Sequence, residues 1–348
     1  MKVGIIGAGM IVHEFLTFAS EVKGMELVAI CSTPKGEERM KEMSKKAGIP
    51  KCYIDVDELL KDDEVEAVYV AVPNHLHYLF SKKALLAGKH VICEKPFTSN
   101  AKEAADLIKI AEEKKAILVE AVSTRYLPNT LKIKEAVKDL GDIKIVCANY
   151  SQYSSRYNAF KEGTILPAFN SEMSGGALMD LNIYNINFVV FLFGKPIKVD
   201  YQANIERGID TSGILTLDYG SFKCVCIAAK DCKAPVSTNI QGDKGCIHIN
   251  SPVAMLDDGY AVLMNDANGR NKFDYQDGKC GNKFDYQNGK HRMYYEFVEF
   301  VKMIDNKDYK TAKEMLAISF ITMEIQTEAR KKAGVRFPAD AMSQSECC

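Results

Sequence analysis

Two segments of this chain carry residues whose types and spacing suit proton chemistry. Glu94-Lys95-Pro96 follows the apolar run Val91-Ile92-Cys93, so a lysine stands where a short buried strand would end. Ligands bind at the carboxyl ends of the strands in an open α/β sheet, and Pro96 restricts Lys95 to extended backbone conformations. Lys95 is therefore a candidate acid/base group, although a lysine at the start of a loop is just as often simply solvated.

The second segment is a glycine turn followed by an apolar stretch, Ser174-Gly175-Gly176 through Asn185. Asp180 and Tyr184 are four residues apart and would share one face of a helix over residues 176–191, with Asn187 on nearly the same face. Polar groups are costly to bury unless they face a site or each other. The pair is therefore either part of an active site or a structural hydrogen bond.

The N-terminal segment predicts a dinucleotide site. Gly7-Ala8-Gly9 lies between a strand-like and a helix-like stretch, although Val12 stands at the third position of the G-x-G-x-x-G fingerprint. Glycines let the backbone approach a pyrophosphate that sits on helix N–H groups. We expect Gly7, Ala8, Gly9, Met10 and Ile11 to contact the cofactor, the alternative being a plain βα turn.

The end of the second strand bears on the choice between NAD and NADP. An acidic residue there would bind the ribose 2′-hydroxyl, but the chain reads Cys31-Ser32-Thr33-Pro34-Lys35. Ser32 and Thr33 can donate to a 2′-phosphate, and Lys35 or Arg39 can supply charge. The sequence favours NADP over NAD, unless Lys35 is an ordinary solvated lysine.

The end of the third strand should lie near the nicotinamide ribose. The cofactor-binding candidates there are Ala71, Pro73, Asn74 and His77, and those at the end of the fourth strand are Glu94 and Lys95. The Asn74 side chain is as well suited to capping a helix as to contacting a ligand. Glu94 can contact the cofactor or orient Lys95.

The elements that would position these residues fall into two patterns. Residues 1–122 alternate short apolar strands with helices, which predicts an α/β Rossmann domain with a doubly wound parallel sheet. The predicted strands are 3–6, 27–31, 67–71, 91–93 and 117–119, and the predicted helices are 10–22, 37–47, 75–87 and 102–115. Residues 123–348 predict an α+β domain on a mostly antiparallel sheet, with its C-terminal helix free to pack back on the first domain.

The second half also contains an internal repeat. Residues 271–279 recur as 282–290 with one change, and each copy ends in a hairpin-turn dipeptide. Two copies at so short an offset do not make a solenoid. We interpret them as a duplication that extends a peripheral hairpin.

Composition excludes several classes of protein. The net charge of −1 gives no electrostatic case for binding nucleic acid or a membrane surface. The chain has no apolar run of transmembrane length and no signal-peptide pattern at its N-terminus. Its 11 cysteines include no C-x-x-C pair, so we expect reduced thiols, no metal site and a cytoplasmic location.

Together, Gly7-Ala8-Gly9, Glu94-Lys95-Pro96 and the segment from Gly175 to Tyr184 resemble the Gfo/Idh/MocA family of NAD(P)-dependent oxidoreductases. The motifs occur in the family's order and spacing. The resemblance implies a Rossmann domain followed by a domain on a large, open, mostly antiparallel sheet. That sheet carries the substrate pocket and often the oligomer contact, so a homodimer or homotetramer is expected.

The resemblance also implies residue roles. Lys95 is the catalytic lysine, Asp180 binds a substrate hydroxyl, and Tyr184 is the general acid/base. Inositol dehydrogenase-like members have histidine at the last position, whereas glucose–fructose oxidoreductase-like and dihydrodiol dehydrogenase-like members have tyrosine. Asn182 replaces the family's usual glycine and is expected to crowd or specialise the pocket. Arg125 matches a cleft-lining segment, as a substrate-binding or an ion-pair residue.

The expected function is therefore hydride transfer between nicotinamide and a secondary alcohol or ketone of a sugar, polyol or cyclic diol. Specificity is expected from the loop of residues 153–169, including Tyr153. Two alternatives remain: a non-catalytic sensor or corepressor, and an enzyme that uses transient oxidation for glycoside cleavage or epimerisation. Loss of the lysine would mark the sensor, but Lys95 is present.

Overall fold

The computed structural model describes residues 1–257, 259–263, 282–283 and 288–341. The chain divides into two compact units. The first comprises Met1–Val122, Met293–Glu324 and the segment from Phe337, and the second comprises Ser123–Arg292 and Ile325–Arg336.

The described strands and helices alternate in the first third of the chain, after which strands dominate. In chain order the strands are β1 (Lys2–Ile6), β2 (Glu26–Cys31), β3 (Lys51–Tyr53), β4 (Ala67–Val70), β5 (His90–Glu94), β6 (Leu118–Ala121), β7 (Ile143–Ser151), β8 (Lys198–Glu206), β9 (Ile209–Asp218), β10 (Lys223–Ala229), β11 (Ser237–Gly242), β12 (Gly245–Ile249), β13 (Gly259–Leu263) and β14 (Asn282–Lys283). The helices are α1 (Met10–Leu16), α2 (Glu37–Ala47), α3 (Val56–Lys61), α4 (His77–Leu86), α5 (Ala101–Lys114), α6 (Pro128–Ala136), α7 (Tyr157–Lys161), α8 (Ala177–Asp180), α9 (Asn182–Phe193), α10 (Tyr294–Asp305) and α11 (Tyr309–Lys332).

The first unit is built on a parallel sheet in the order β3-β2-β1-β4-β5-β6. The strand order reverses at β1, which pairs with β2 on one side and β4 on the other. Strands β4 and β5 are buried on both faces, as short β-branched strands in a doubly wound sheet should be. The predicted Rossmann architecture is confirmed.

An aromatic cluster forms part of the core of this unit. The ring of Phe297 on α10 lies 4.5 Å from that of Phe15 on α1 and 5.2 Å from that of Tyr69 on β4, centroid to centroid. Tilted and edge-to-face pairs of this kind stabilise a core beyond the area they bury. Helix α10 thus belongs to the core that supports the strands.

Two features of this unit differ from the sequence expectation. Strand β3 and helix α3 were not predicted, because β3 is a three-residue edge strand without an apolar run. Helix α1 ends at Leu16 rather than extending to residue 22. The Thr17 hydroxyl donates to the carbonyl oxygen of Glu14 at 2.7 Å, a local bond that competes with helix continuation.

The second unit is built on a mixed sheet in the order β14-β13-β12-β11-β7-β10-β9-β8. Among the described strands of this second sheet, β7 and β10 pair in parallel and every other pair is antiparallel. One face is buried beneath α8 and α9 and includes Val146, Cys224, Cys226, Leu215 and Ile240. The prediction of a mostly antiparallel sheet is confirmed.

The helix predicted over residues 176–191 is interrupted. It consists of α8 and α9, and the segments Ser171–Asp180 and Asn182–Phe193 meet at 56°. The break falls at Leu181, next to Asn182, whose amide donates to the sheet carbonyl of Cys226 at 3.1 Å. Asp180 and Tyr184 therefore stand on either side of a bend rather than on one straight helix face.

Most of the internal repeat lies outside the described residues. The first copy, residues 271–279, lies wholly outside them, and of the second copy only β14 and residues 288–290 fall within them.

Within the described part of the chain, no single helix is long and apolar enough to cross a membrane, although the bent pair Ser171–Asp180 and Asn182–Phe193 passes that test together.

Candidate active site

The glycine loop lies at the point where the strand order of the first sheet reverses. Gly7 has φ +122°, and a Cβ atom there would lie 2.2 Å from the carbonyl oxygen of Ala71. Its N–H donates to the carbonyl oxygen of Cys31 at 2.9 Å. By contrast, a Cβ atom on Gly9 would meet no heavy atom within 4 Å. The loop is held against its neighbours at Gly7 and open at Gly9.

This geometry fits a dinucleotide. The crevice at a reversal of strand order is where such cofactors bind in doubly wound sheets, with the pyrophosphate on a helix N-terminus. Ala8 is buried in the loop, Met10 is 73% exposed at the start of α1, and Ile11 follows it. Val12, at the third fingerprint position, is fully buried and serves as a core residue.

The turn after β2 brings the side chains of Ser32 and Arg39 to one glycine. A Cβ atom on Gly36 would lie 2.3 Å from Ser32 Oγ and 3.8 Å from an Arg39 guanidinium nitrogen, so both side chains surround this glycine. Thr33 and Lys35 are exposed in the same turn. Hydroxyl and guanidinium donors in this arrangement suit a 2′-phosphate.

The His77 side chain is buried beside the segments that follow β4 and β5 rather than exposed at the end of the sheet. The ring is fully buried, with Nδ1 2.7 Å from the carbonyl oxygen of Pro96 and Nε2 2.9 Å from that of Val72. Burial lowers the pKa of His77 to about 4, so the ring is neutral at pH 7. Only one nitrogen of a neutral ring carries a proton, so His77 donates to one of these two carbonyl oxygens and contacts the other. Asn74 begins the half-buried turn Asn74–Leu76, after the exposed Pro73.

Lys95 directly follows β5 and is half-buried. The preceding Glu94 is buried, and its Oε1 accepts a hydrogen bond from the Tyr69 hydroxyl at 2.6 Å. Its Oε2 accepts from the backbone N–H of Lys95 at 3.2 Å. Glu94 thus fixes the end of the strand from which the lysine emerges.

The second unit holds Asp180 and Tyr184. Asp180 ends α8 half-exposed, and its Oδ2 accepts from Lys230 Nζ at 2.7 Å. Tyr184 is buried in α9, with its ring centroid 6.1 Å from that of Tyr150 on β7. A carboxylate and a phenol therefore flank the bend between the two helices.

The glycine turn before α8 is required by close packing. Gly175 and Gly176 donate their N–H groups to the carbonyl oxygens of Asn170 and Ala168. Gly176 has φ +106°, and a Cβ atom there would lie 2.1 Å from Asp210 Oδ1. Any larger residue would collide with this carboxyl group.

Asp210 is a buried residue that supports α8 and that the sequence did not single out. Its Oδ2 accepts from the Leu178 N–H at 2.6 Å and from the Tyr201 hydroxyl at 2.8 Å. Burial raises the pKa of Asp210 to about 6, with the two donors opposing the shift. The sequence gives little signal for Asp210, because it stands between Ile209 and the polar pair Thr211-Ser212 rather than in an apolar run.

Lys230 was also missed. It is buried directly after β10, and its ammonium donates to Asp180 and to the carbonyl oxygen of Ala168. Its signal was the one that identified Lys95: a lysine at the end of an apolar strand, here after residues 224–229.

The remaining candidates occupy varied positions in the second unit. Arg125 is buried at the end of the turn Ser123–Arg125. Tyr153 is exposed, and its hydroxyl donates to Asn158 Oδ1 at 2.6 Å. Asn182 is buried, and its amide donates to the carbonyl oxygen of Cys226 in the sheet; that it crowds or specialises a substrate pocket stays a prediction. Asn187 is also buried and donates to the carbonyl oxygen of Ile183 within its own helix.

No group of three or more histidine, cysteine, aspartate or glutamate side chains in the described part of the chain is arranged to hold a metal ion.

Comparison with known proteins gives matches along most of the chain. The family model described as "Oxidoreductase family, NAD-binding Rossmann fold" matches residues 1–122. The model of the GFO/IDH/MocA C-terminal domain matches residues 130–248.

Individual proteins match over nearly their full lengths. The chain is 34% identical to scyllo-inositol 2-dehydrogenase (NADP+) of Bacillus subtilis, over 98% of this chain and 99% of that enzyme. It is 29% identical to trans-1,2-dihydrobenzene-1,2-diol dehydrogenase of Mus musculus, with the same coverage. A crystal structure of a 3-ketoreductase of Actinomadura kijaniata with NADP and TDP-benzene superposes with a TM-score of 0.79 at 19% identity, over 97% of this chain and 98% of that one.

Proposed function

Because this chain belongs to the Gfo/Idh/MocA family of NAD(P)-dependent oxidoreductases, we propose that it transfers a hydride between a nicotinamide cofactor and a secondary alcohol of a polyol, sugar or cyclic diol. The B. subtilis relative is named for an inositol and the mouse relative for a dihydrodiol. Both molecules carry hydroxyl groups on adjacent carbons of a six-membered ring. A vicinal diol on a ring is therefore the substrate class that we propose.

The observation that carries this proposal is the pairing of Asp180 with the buried Lys230, at 2.7 Å, beside the bend that leads to Tyr184. A carboxylate held from its buried side is suited to accept a hydrogen bond from a substrate hydroxyl. A phenol four residues further on is suited to exchange a proton with a second hydroxyl. We therefore assign one of these groups to each hydroxyl of a vicinal diol.

Each residue then has a role in alcohol oxidation. The nicotinamide supplies the hydride acceptor for oxidation and the hydride donor for reduction. Tyr184 takes the proton of the reacting hydroxyl as the carbon–oxygen bond becomes a carbonyl. Lys95 is the second group that we assign to the transfer of this proton, and Asp180 anchors the neighbouring hydroxyl.

We further propose NADP as the preferred cofactor. Ser32 and Arg39 surround Gly36 after β2, and the sequence places no acidic residue between Cys31 and Gly36. The B. subtilis relative is named as NADP+-dependent. A lower KM for NADP than for NAD supports this preference, and a clear preference for NAD would refute it.

The test of the proposed function is a panel of sugars, inositols and cyclic diols, followed at 340 nm with both cofactors. We expect net reduced cofactor equal to the ketone formed. Product without net reduced cofactor would favour transient oxidation, as in an epimerase. Cofactor binding without turnover of any compound would favour a sensor.

We also propose a homodimer or homotetramer that forms through the open face of the second sheet. The side chains of Ile145 and Ile214 are each nearly half exposed there, and Val225 and Ile227 lie between them, half-buried. Sedimentation equilibrium of the wild type and of Ile214→Lys tests this interface. A monomeric wild type would contradict it.

A cytoplasmic location is proposed from the thiols. The eight described cysteines are free, and two of them, Cys52 and Cys232, are exposed. Free exposed thiols are typical of reducing compartments. Fractionation of cells that express the chain tests this location.

A further inference from the structure

We propose that Lys230 is a positioning residue for substrate binding: it fixes the carboxylate of Asp180 and attaches it to the loop that contains Ala168 and Phe169. This inference rests on the proposed function, in which Asp180 binds the hydroxyl next to the reacting one.

The ammonium group of Lys230 is buried. Lys230 continues the inward-facing positions of β10 after Cys224, Cys226 and Ala228, all of which are buried. A buried charge is very costly unless it is paired and hydrogen-bonded. The ammonium donates to Asp180 Oδ2 at 2.7 Å and to the carbonyl oxygen of Ala168 at 2.8 Å, and it lies 4.8 Å from the ring centroid of Phe169.

The two side chains of the ion pair differ in exposure. The Asp180 side chain is 30% exposed, whereas that of Lys230 is only 3% exposed. The lysine therefore lies on the interior side of the carboxylate. It acts on a substrate through Asp180 rather than by touching the substrate itself.

The carbonyl oxygen of Ala168 that accepts from Lys230 belongs to a larger hydrogen-bond network. The Ala168 carbonyl oxygen also accepts from the Gly176 N–H, at 3.1 Å, in the turn that starts α8. The neighbouring Phe169 stacks on Phe160, with ring centroids 4.9 Å apart, and packs 5.7 Å from the Tyr157 ring. The Lys230 ammonium group thus links the loop that contains Ala168 and Phe169, the glycine turn before α8 and the carboxylate of Asp180.

A stability role alone does not explain this arrangement well. A buried salt bridge is weak evidence for stability, because the desolvation of both ions can cancel their attraction. Positioning predicts something different: loss of Lys230 should weaken the binding of substrates that use the neighbouring hydroxyl and spare substrates that lack it.

The experiment compares Lys230→Met and Lys230→Arg with a matched control, Lys233→Met, whose lysine is exposed three residues further on. Steady-state kinetics use scyllo-inositol, or the polyol of highest kcat/KM in the panel, and cyclohexanol as the single-hydroxyl comparison. Lys230→Met should raise KM for the polyol about 10-fold, the usual effect of losing a charged hydrogen bond, and change KM for cyclohexanol less than 2-fold. Lys230→Arg should recover part of the loss because it keeps the charge, and the control should behave as wild type.

A double-mutant cycle with Asp180→Asn completes the test. Because Lys230 acts through Asp180, the combined variant should bind the polyol no more weakly than Asp180→Asn alone. If Lys230→Met does not fold, Lys230→Arg and Lys230→Gln are compared by the same ratio of polyol KM to cyclohexanol KM. Equal rises for both substrates, or wild-type kinetics, would overturn the inference. No turnover of any panel compound by the unchanged enzyme would instead contradict the proposed function.

Discussion

Gly7 packs directly against the carbonyl oxygen of Ala71, across the ends of β1 and β4. A Cβ atom on Gly7 would lie 2.2 Å from that oxygen, whereas a Cβ atom on Gly9 would meet no heavy atom within 4 Å. The two glycines of this loop therefore serve different purposes. Gly7 allows the loop after β1 to pack closely against the end of β4, whereas Gly9 leaves space for a ligand.

This contrast predicts opposite behaviour for two alanine variants. Gly7→Ala should lower the free energy of unfolding by about 3 kcal/mol, because a positive φ and a backbone collision both oppose the new methyl group. Gly9→Ala should keep the wild-type melting temperature and raise the Kd for NADP about 10-fold, by occupying space near the pyrophosphate. Thermal melts and fluorescence titration of NADP measure the two effects. Unchanged cofactor affinity in folded Gly9→Ala would contradict the placement of the cofactor.

Removal of either proposed proton-transfer group should stop turnover without releasing the cofactor. Lys95→Ala and Tyr184→Phe should each lower kcat by about 100-fold or more, the usual contribution of a general acid/base. The Kd for NADP should change little in Tyr184→Phe. Stopped-flow traces at 340 nm and equilibrium titrations measure these quantities, and near-wild-type kcat in both variants would rule out their assignment.

The turn after β2 predicts a cofactor-specific effect. Arg39→Ala should raise KM for NADP about 10-fold, the loss expected for a charge-assisted contact with phosphate, and leave KM for NAD unchanged. Lys35→Ala shows whether the second cation contributes. Lys45→Ala, an exposed position on the same helix, is the control. A parallel change for both cofactors would mean that the arginine does not contact a 2′-phosphate.

Asp210 makes stability depend on pH. Burial raises its pKa to about 6 from the ordinary value of 3.8. Between these two pH values the Asp210 carboxyl is protonated in the folded protein but ionised in the unfolded chain. The contribution of Asp210 to the free energy of unfolding is therefore complete below about pH 4 and is lost as pH rises through 6. Relative to Asp210→Asn, the wild type should lose roughly 3 kcal/mol between pH 4 and pH 7. Urea unfolding of both proteins across this range measures the difference; curves that stay parallel would show that Asp210 does not titrate in this way.

Local signals in the sequence located most helices and strands. Helix α2 spans Glu37–Ala47, as predicted, because Glu37 and Glu38 lie in its first turn and Gly48 ends it with φ 70°. The break at Leu181 was missed because apolar residues continue through it, and the bond from Asn182 to the Cys226 carbonyl connects residues 44 positions apart. Local patterns do not contain contacts of that range.

In the candidate site, too, local signals could be read from the sequence, whereas contacts between distant residues could not. Lys95 was found because it ends an apolar strand, and Lys230 satisfies that rule equally well. What the rule does not supply is a partner: the ion pair between Lys230 and Asp180 joins residues 50 positions apart. His77 was predicted as a ligand contact from its place after a strand, yet its ring contacts the Pro96 carbonyl, which arrives from the next strand.

Hydride transfer is tested most directly with a deuterium label on the substrate carbon. Wild-type protein is incubated with NADP+ and scyllo-inositol that carries deuterium on its ring carbons. The reaction is monitored by absorbance at 340 nm, and the cofactor is then analysed by mass spectrometry. We predict one equivalent of reduced cofactor for each ketone formed, with one deuterium in each reduced nicotinamide ring. Ketone without labelled cofactor, or no reduced cofactor with any compound of the panel, would contradict the proposed oxidoreductase function.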